Sequence, residues 1–152
     1  MMHDQIADFI DGLLNNTQKN GSCWKGLINY MNGNKHFADL DDLIQAKKES
    51  KDIKVHINDS YFFFSGDGAV ILFSSESPYE KDGVVFESLE LYIKIKDIIP
   101  INLIGTSPNN DKIKKLHHEI RESISSRIEM PGDMYRFMTS ALKDMLNTPS
   151  LE

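Results

Sequence analysis

A single cysteine is the residue of this chain best placed to act as a nucleophile. Cys23 lies in the segment Gly21-Ser22-Cys23-Trp24, directly before a stretch whose apolar residues recur at helical spacing as far as Met31. The positive end of a helix dipole favours the reactive thiolate form of a thiol placed at the helix N-terminus. The sequence therefore indicates a small thiol enzyme as one possible function.

The same segment, with Gln18 before it, resembles the nucleophile segment of papain-like cysteine proteases. The glutamine lies five positions before Cys23, where the family has six, and the resemblance covers about seven of the 152 residues. It implies a histidine that activates the thiol and an Asn or Asp that orients this histidine. His56, in a predicted strand, and Asp67, in a predicted turn, are the candidates. The alternative interpretation is that Cys23 and Trp24 are core residues at the start of a helix.

The histidines do not form a metal-binding pattern. A structural zinc site takes four Cys or His ligands at characteristic spacing, and one cysteine with five histidines at scattered positions does not supply it. His117 falls on the apolar stripe of a predicted helix, where a partly buried, hydrogen-bonded histidine is expected. Glycine-rich phosphate-binding motifs are absent from the sequence. We therefore expect no metal and no cofactor.

Acidic residues give the stronger functional indication. Seventeen Lys and Arg against 23 Asp and Glu give a net charge of −6, and residues 53–108 account for −4 of it, with 8 acids against 4 bases. Acids and tyrosines in this region form a candidate surface for a basic protein partner: Glu76, Tyr79, Glu80, Asp82, Glu87, Glu90 and Tyr92. Carboxylates steer and pair with basic groups, and tyrosine rings supply buried area. The alternative is an ordinary solvated loop and sheet edge.

This profile is similar to that of bacterial toxin immunity proteins, which are compact, acidic and without catalytic groups. It predicts a protein, not an enzyme, that neutralises or escorts a more basic partner such as a toxin domain. The thiol enzyme and a chaperone for a secreted protein are the alternatives. Net negative charge argues against nucleic-acid binding. No apolar run approaches the roughly 20 residues of a membrane span, and no secretory signal is visible, so we expect a soluble cytoplasmic protein. The partner and the oligomeric state stay open.

One α+β domain over residues 1–152 is expected to position these residues. Helical spacing predicts three N-terminal helices, at residues 4–14, 23–31 and 38–50, and two C-terminal helices that begin at Pro108 and at Pro131. Between them, residues 53–104 alternate apolar and polar side chains around short turns at Asn58-Asp59 and Gly66-Asp67-Gly68. Short turns predict an antiparallel sheet of four or five strands, because parallel strands need long crossovers. The helices are expected to pack on one face of the sheet.

Overall fold

The computed structural model describes residues 2–20, 23–77, 87–103, 111–127 and 132–147. The helices in these segments are α1 (Met2–Asn20), α2 (Leu27–Asn32), α3 (Ala38–Glu49), α4 (Asp111–Arg127) and α5 (Gly132–Asn147). The strands are β1 (Lys25–Gly26), β2 (Lys54–Val55), β3 (Tyr61–Ser65), β4 (Gly68–Glu76), β5 (Glu87–Ile95) and β6 (Ile98–Asn102), and a 3-10 turn at Ile57–Asp59 separates β2 from β3. The predicted α+β class is confirmed.

The strands form one antiparallel sheet in the order β1-β3-β4-β5-β6, and β2 pairs with the end of β4 that β3 does not reach. The predicted turn at Gly66-Asp67 joins β3 to β4, and Gly66 adopts a positive φ of 55° that glycine tolerates without steric cost. The predicted hairpin turn at Asn58-Asp59 is wrong. The backbone N–H of His56 donates to the Ser74 carbonyl at 2.7 Å, so this segment pairs with β4 instead of folding back on β3.

Helices cover both faces of the sheet, so the expectation that they pack on one face is wrong. On the first face, α1 and α4 pack against β3, β4 and β5 through Ile10, Leu13, Ile113, Leu116 and Ile120. On the second face, α2 and α3 pack through Leu27, Tyr30, Leu40 and Ile44. The cause lies in β4, where every residue from Ala69 to Phe73 is buried. A central strand covered on both sides must be apolar on both sides.

Strand β5 has the predicted alternation, but α3 covers its polar face. Its apolar side chains Leu89, Leu91 and Ile93 share one face, as the alternation predicts, and pack against α1 and α4. On the other face, Glu90 and Lys94 are only 9% and 5% exposed. Each pairs with a residue of α3 at 2.7 Å, Glu90 with Lys47 and Lys94 with Asp39. Glu90 and Lys94 therefore belong to the interior packing of the domain.

Two helix boundaries differ from prediction near Cys23. Helix α1 continues to Asn20, beyond residue 14 where the prediction ended it, and its Thr17 hydroxyl accepts a hydrogen bond from Trp24 Nε1 at 3.0 Å. Helix α2 begins only at Leu27, because Lys25 and Gly26 pair with β3 first. Trp24 is a core residue, as the alternative interpretation held, whereas Cys23 is exposed.

Helix α5 does not pack on the sheet through its described side chains. Every side chain from Arg136 to Asn147 is exposed, including large apolar ones. No helix among the described segments is long and apolar enough to span a bilayer.

Candidate functional site

A cleft of about 730 Å³ opens where the 3-10 turn, the paired ends of β4 and β5, and helix α4 meet. Its volume is within the range of small-ligand and side-chain pockets. Ionisable residues of both signs line it: His56, Asp59, Glu76, Glu87, Lys114, His117, His118 and Arg121. The sheet supplies one wall of this cleft and α4 supplies the opposite wall.

The sheet wall carries two carboxylates that face each other across neighbouring strands. Glu76, the last residue of β4, and Glu87, the first of β5, are directly opposite in the antiparallel register. Like charges at opposed positions of an antiparallel pair are destabilising. The Lys54 ammonium group and the His56 ring lie near Glu76, with Lys54 Nζ at 3.9 Å and His56 Nε2 at 3.5 Å from its carboxylate oxygens. Glu87 is exposed.

The 3-10 turn is tied to α4 by a network centred on Asp59. Arg121 donates through Nε and Nη2 to the two Asp59 carboxylate oxygens at 3.1 and 2.6 Å. The Tyr61 hydroxyl donates to the same carboxylate at 3.1 Å. His117 Nε2 lies 2.8 Å from the Asp59 carbonyl oxygen, which only accepts, so the ring nitrogen donates. The bidentate contact of Arg121 with Asp59 is a charge-assisted hydrogen bond, which is strong and fixes the relative orientation of the two side chains.

The Asp59 carboxylate is held in its charged form. Burial by itself would raise its pKa, but the hydrogen bonds from Arg121 and the charges of His117 and Arg121 outweigh burial and lower the pKa below the usual value. Arg121 is therefore committed to a structural partner. His117 is 7% exposed and hydrogen-bonded, as predicted for a histidine on the apolar stripe of this helix.

Helix α4 lines the cleft with basic residues. Lys114, His118 and Arg121 are four and three residues apart, the spacing that places side chains on one face of a helix, and all three line the cleft. The sheet wall thus carries the Glu76 and Glu87 carboxylates, and the helix wall carries the Lys114 ammonium group beside an Arg121 that Asp59 already neutralises. Such an arrangement suits a polar group that carries charge. Among the described residues, no three His, Cys, Asp or Glu side chains are placed to hold a metal ion together.

Two of the candidate thiol-enzyme residues, His56 and Asp67, do not come together. Asp67 directly precedes β4, whereas His56 hydrogen-bonds to Ser74, six residues after the first residue of that strand. At about 3.3 Å per residue, this places them about 20 Å apart, so Asp67 does not orient the His56 ring. His56 lies instead beside Glu76. Cys23 lies four residues before α2 begins, not at a helix N-terminus.

The predicted partner-binding residues divide into three groups. Glu76 and Glu87 line the cleft. Glu90 is buried beneath α3, which corrects its assignment to an exposed acidic surface, and Tyr92 is half-buried beside it with its hydroxyl 3.3 Å from the Glu90 carboxylate. Tyr79, Glu80 and Asp82 lie outside the described residues.

Sequence reasoning missed the Asp59 network as a feature of the site. Arg121 is 62 residues away from Asp59 along the chain. A pair so distant leaves no periodicity or motif, and the only local signal is that Arg121 lies one turn beyond His117 on the predicted helix.

Known protein families, curated proteins and solved structures were all compared with this chain, and none matches it. Inference of function therefore starts from the cleft and its charges.

Proposed function

We propose that this chain is a small acidic cytoplasmic protein-binding protein that neutralises or escorts a more basic protein, as a bacterial toxin immunity protein does. The cleft would receive a basic side chain of that partner. The observation that carries the proposal is the direct opposition of Glu76 and Glu87 on the sheet wall.

Opposed carboxylates repel each other, and the exposed Lys54, 3.9 Å from Glu76, offsets little of this repulsion in water. A cation placed between the two carboxylates removes it. Side chains at opposed positions of an antiparallel pair have Cβ atoms about 5 Å apart, so one guanidinium or ammonium group can contact both. Arginine suits the position because its planar fork donates to two carboxylates at once. Residues that cost stability and gain a partner on binding are typical of functional sites.

The charge of the whole chain supports the same partner chemistry. A net charge of −6 attracts a basic protein over a distance and accelerates association at low ionic strength. The Lys114 ammonium group on α4 then adds selectivity, since a partner segment must present its cation to the sheet and must not present a second cation to Lys114. A partner with an acidic or polar group beside its basic residue fits both walls.

Neutralising the two opposed carboxylates tests the proposal. The Glu76→Gln/Glu87→Gln variant and wild type would each be used to capture proteins from a lysate of the native host, at low and high ionic strength, and captured proteins would be identified by mass spectrometry. We expect wild type to capture a protein of basic isoelectric point, with capture weakened by salt and by the double substitution. We also expect the variant to unfold at an equal or higher denaturant concentration, because the opposed charges are gone.

A matched control removes the same amount of charge elsewhere. Asp42 and Asp52 are exposed and do not line the cleft, so Asp42→Asn/Asp52→Asn changes the net charge equally. Equal loss of capture in this control would show that only overall charge matters and would contradict the cleft assignment. Capture of an acidic partner would contradict the proposed function. Whether the captured protein is a toxin domain or a secreted protein separates immunity from chaperoning.

A further inference from the structure

Helix α5 presents a continuous apolar stripe that the described part of the chain leaves uncovered. The large apolar side chains of a core helix are buried, whereas those of α5 are exposed. Their exposed fractions are 72% for Phe137, 46% for Met138, 64% for Leu142, 77% for Met145 and 85% for Leu146. Residues 138, 141, 142 and 145 follow the three- and four-residue spacing of one helix face. Surface helices of globular proteins normally bury such a stripe.

The charges of α5 argue against a membrane as the occupant of this stripe. Helices that lie in the membrane interface are rich in Lys and Arg on their polar face. Helix α5 carries Arg136 and Lys143 against Asp133 and Asp144, which sum to zero. Attraction to anionic lipid would therefore be weak, and a protein surface is the better match.

The charge distribution of the whole chain favours a second copy as that protein surface. Copies of a chain with a net charge of −6 repel one another through most of their surface. Residues 109–152, which include α5, carry 7 acids and 7 bases and are neutral. The exposed apolar stripe of α5 thus lies in the part of the chain where two copies approach without net repulsion.

The size of the stripe fits a small, reversible contact between two identical helices. The large side chains on its one face are Met138, Leu142 and Met145, and their exposed fractions amount to about two whole side chains. At about 180 Å² for each, this is about 340 Å² per chain, or about 670 Å² for two chains, which is the size of a weak contact that forms and separates readily. A two-fold pair buries the same patch on both copies in one contact.

We propose that two copies of this chain form a dimer by packing their α5 helices against each other along this stripe. Dimerisation is independent of the cleft, because the cleft is lined by residues of the sheet, the 3-10 turn and α4. Each dimer would carry two clefts and could hold two partner molecules.

Sedimentation velocity of the full chain over a range of micromolar concentrations tests this proposal. We expect wild type to reach twice the 17.3 kDa mass of one chain, and Leu142→Glu to raise the dimer dissociation constant at least about tenfold, since two-fold pairing introduces the charge twice. Met145→Glu should act in the same way. The matched control is Ile28→Glu on α2, which places the same substitution at another exposed apolar position. Far-UV circular dichroism establishes that each variant is folded.

Three outcomes would overturn the dimer. Wild type at 17.3 kDa over the whole concentration range would do so. A dimer equally weakened by Ile28→Glu and Leu142→Glu, or by neither, would place the contact elsewhere. The stripe would be assigned to a membrane if wild type is monomeric and floats with vesicles of phosphatidylcholine and phosphatidylserine, and if Leu142→Glu abolishes this vesicle binding.

Discussion

Removing the Glu90 carboxylate should destabilise the protein far more than removing that of Glu87, although both are acidic residues of β5. Glu87 is exposed at the start of the strand. Glu90 is 9% exposed, and its carboxylate accepts hydrogen bonds from Lys47 at 2.7 Å, Asn102 at 3.0 Å and Tyr92 at 3.3 Å. The two substitutions Glu90→Ala and Glu87→Ala therefore compare a buried ion pair with a surface charge on one strand.

The expected loss of stability follows from the buried Lys47 ammonium group, which Glu90→Ala leaves without its carboxylate partner. The Lys47 side chain is only 9% exposed, and its ammonium group lies 5.0 Å from the Phe73 ring centroid and 5.1 Å from that of Tyr92. Those rings offset part of the charge, but a buried ammonium without its carboxylate costs about 3–5 kcal/mol. That loss is a large fraction of the about 5–15 kcal/mol by which domains are stable. Glu87→Ala should stay within about 0.5 kcal/mol of wild type.

Urea unfolding at neutral pH, followed by circular dichroism, measures both values through the midpoint and the slope. Glu90→Gln keeps the volume and one acceptor, so it should lose less than Glu90→Ala and provides a folded variant if the alanine variant does not fold. Replacing both partners, with Lys47→Met and Glu90→Leu, should recover most of the loss because neither charge is then buried. A Glu90→Ala variant as stable as Glu87→Ala would refute the covering of this strand face by α3.

Two further predictions concern the turn that borders the cleft. Asp59→Asn should lower the free energy of unfolding above about pH 4, because the lowered pKa of Asp59 contributes stability that is complete above the pKa of the unfolded state and is lost as pH falls through the pKa of the folded state. The denaturant midpoints of wild type and variant, measured between acidic and neutral pH, should therefore converge below about pH 4. A difference that stays constant with pH would contradict the role given to Asp59. Ser60→Ala should lower the free energy of unfolding by about 1–3 kcal/mol, since the fully buried hydroxyl donates to the His56 carbonyl at 2.7 Å and accepts from the Ser74 N–H at 3.0 Å. Thermal unfolding measures this loss of stability, and an unchanged midpoint would show that water replaces the hydroxyl.

Local pattern was sufficient for the class of the fold. The period of two in β5 and the tight Gly66-Asp67 turn are properties of a few neighbouring residues, and both appear in the structure where the sequence predicted them. The hairpin turn predicted at Asn58-Asp59 is wrong because strand pairing depends on residues that are distant in the chain. A turn-forming pair does not specify which strand its neighbours join, and the partner of His56 is Ser74 on β4.

The candidate site was predictable only in part, because charge is visible in a sequence and burial is not. Glu76, Glu87 and Glu90 have the same side chain within fifteen residues of one another. Two of them line the cleft, and the third lies under α3 with Lys47, which is 43 residues away along the chain. Only the packing of that helix on the strand separates a surface acid from an interior one.

By itself, the sequence determined one α+β chain with an antiparallel sheet, an acidic middle region and a neutral C-terminal region, because composition and periodicity are local properties. Tertiary structure decided that helices cover both sheet faces, that Asp59 is bound by Arg121 from α4, and that Glu76 opposes Glu87. Each of these depends on contacts between residues distant in the chain, where the free energy of burying apolar area and pairing charges is summed over the whole domain and not over any one segment.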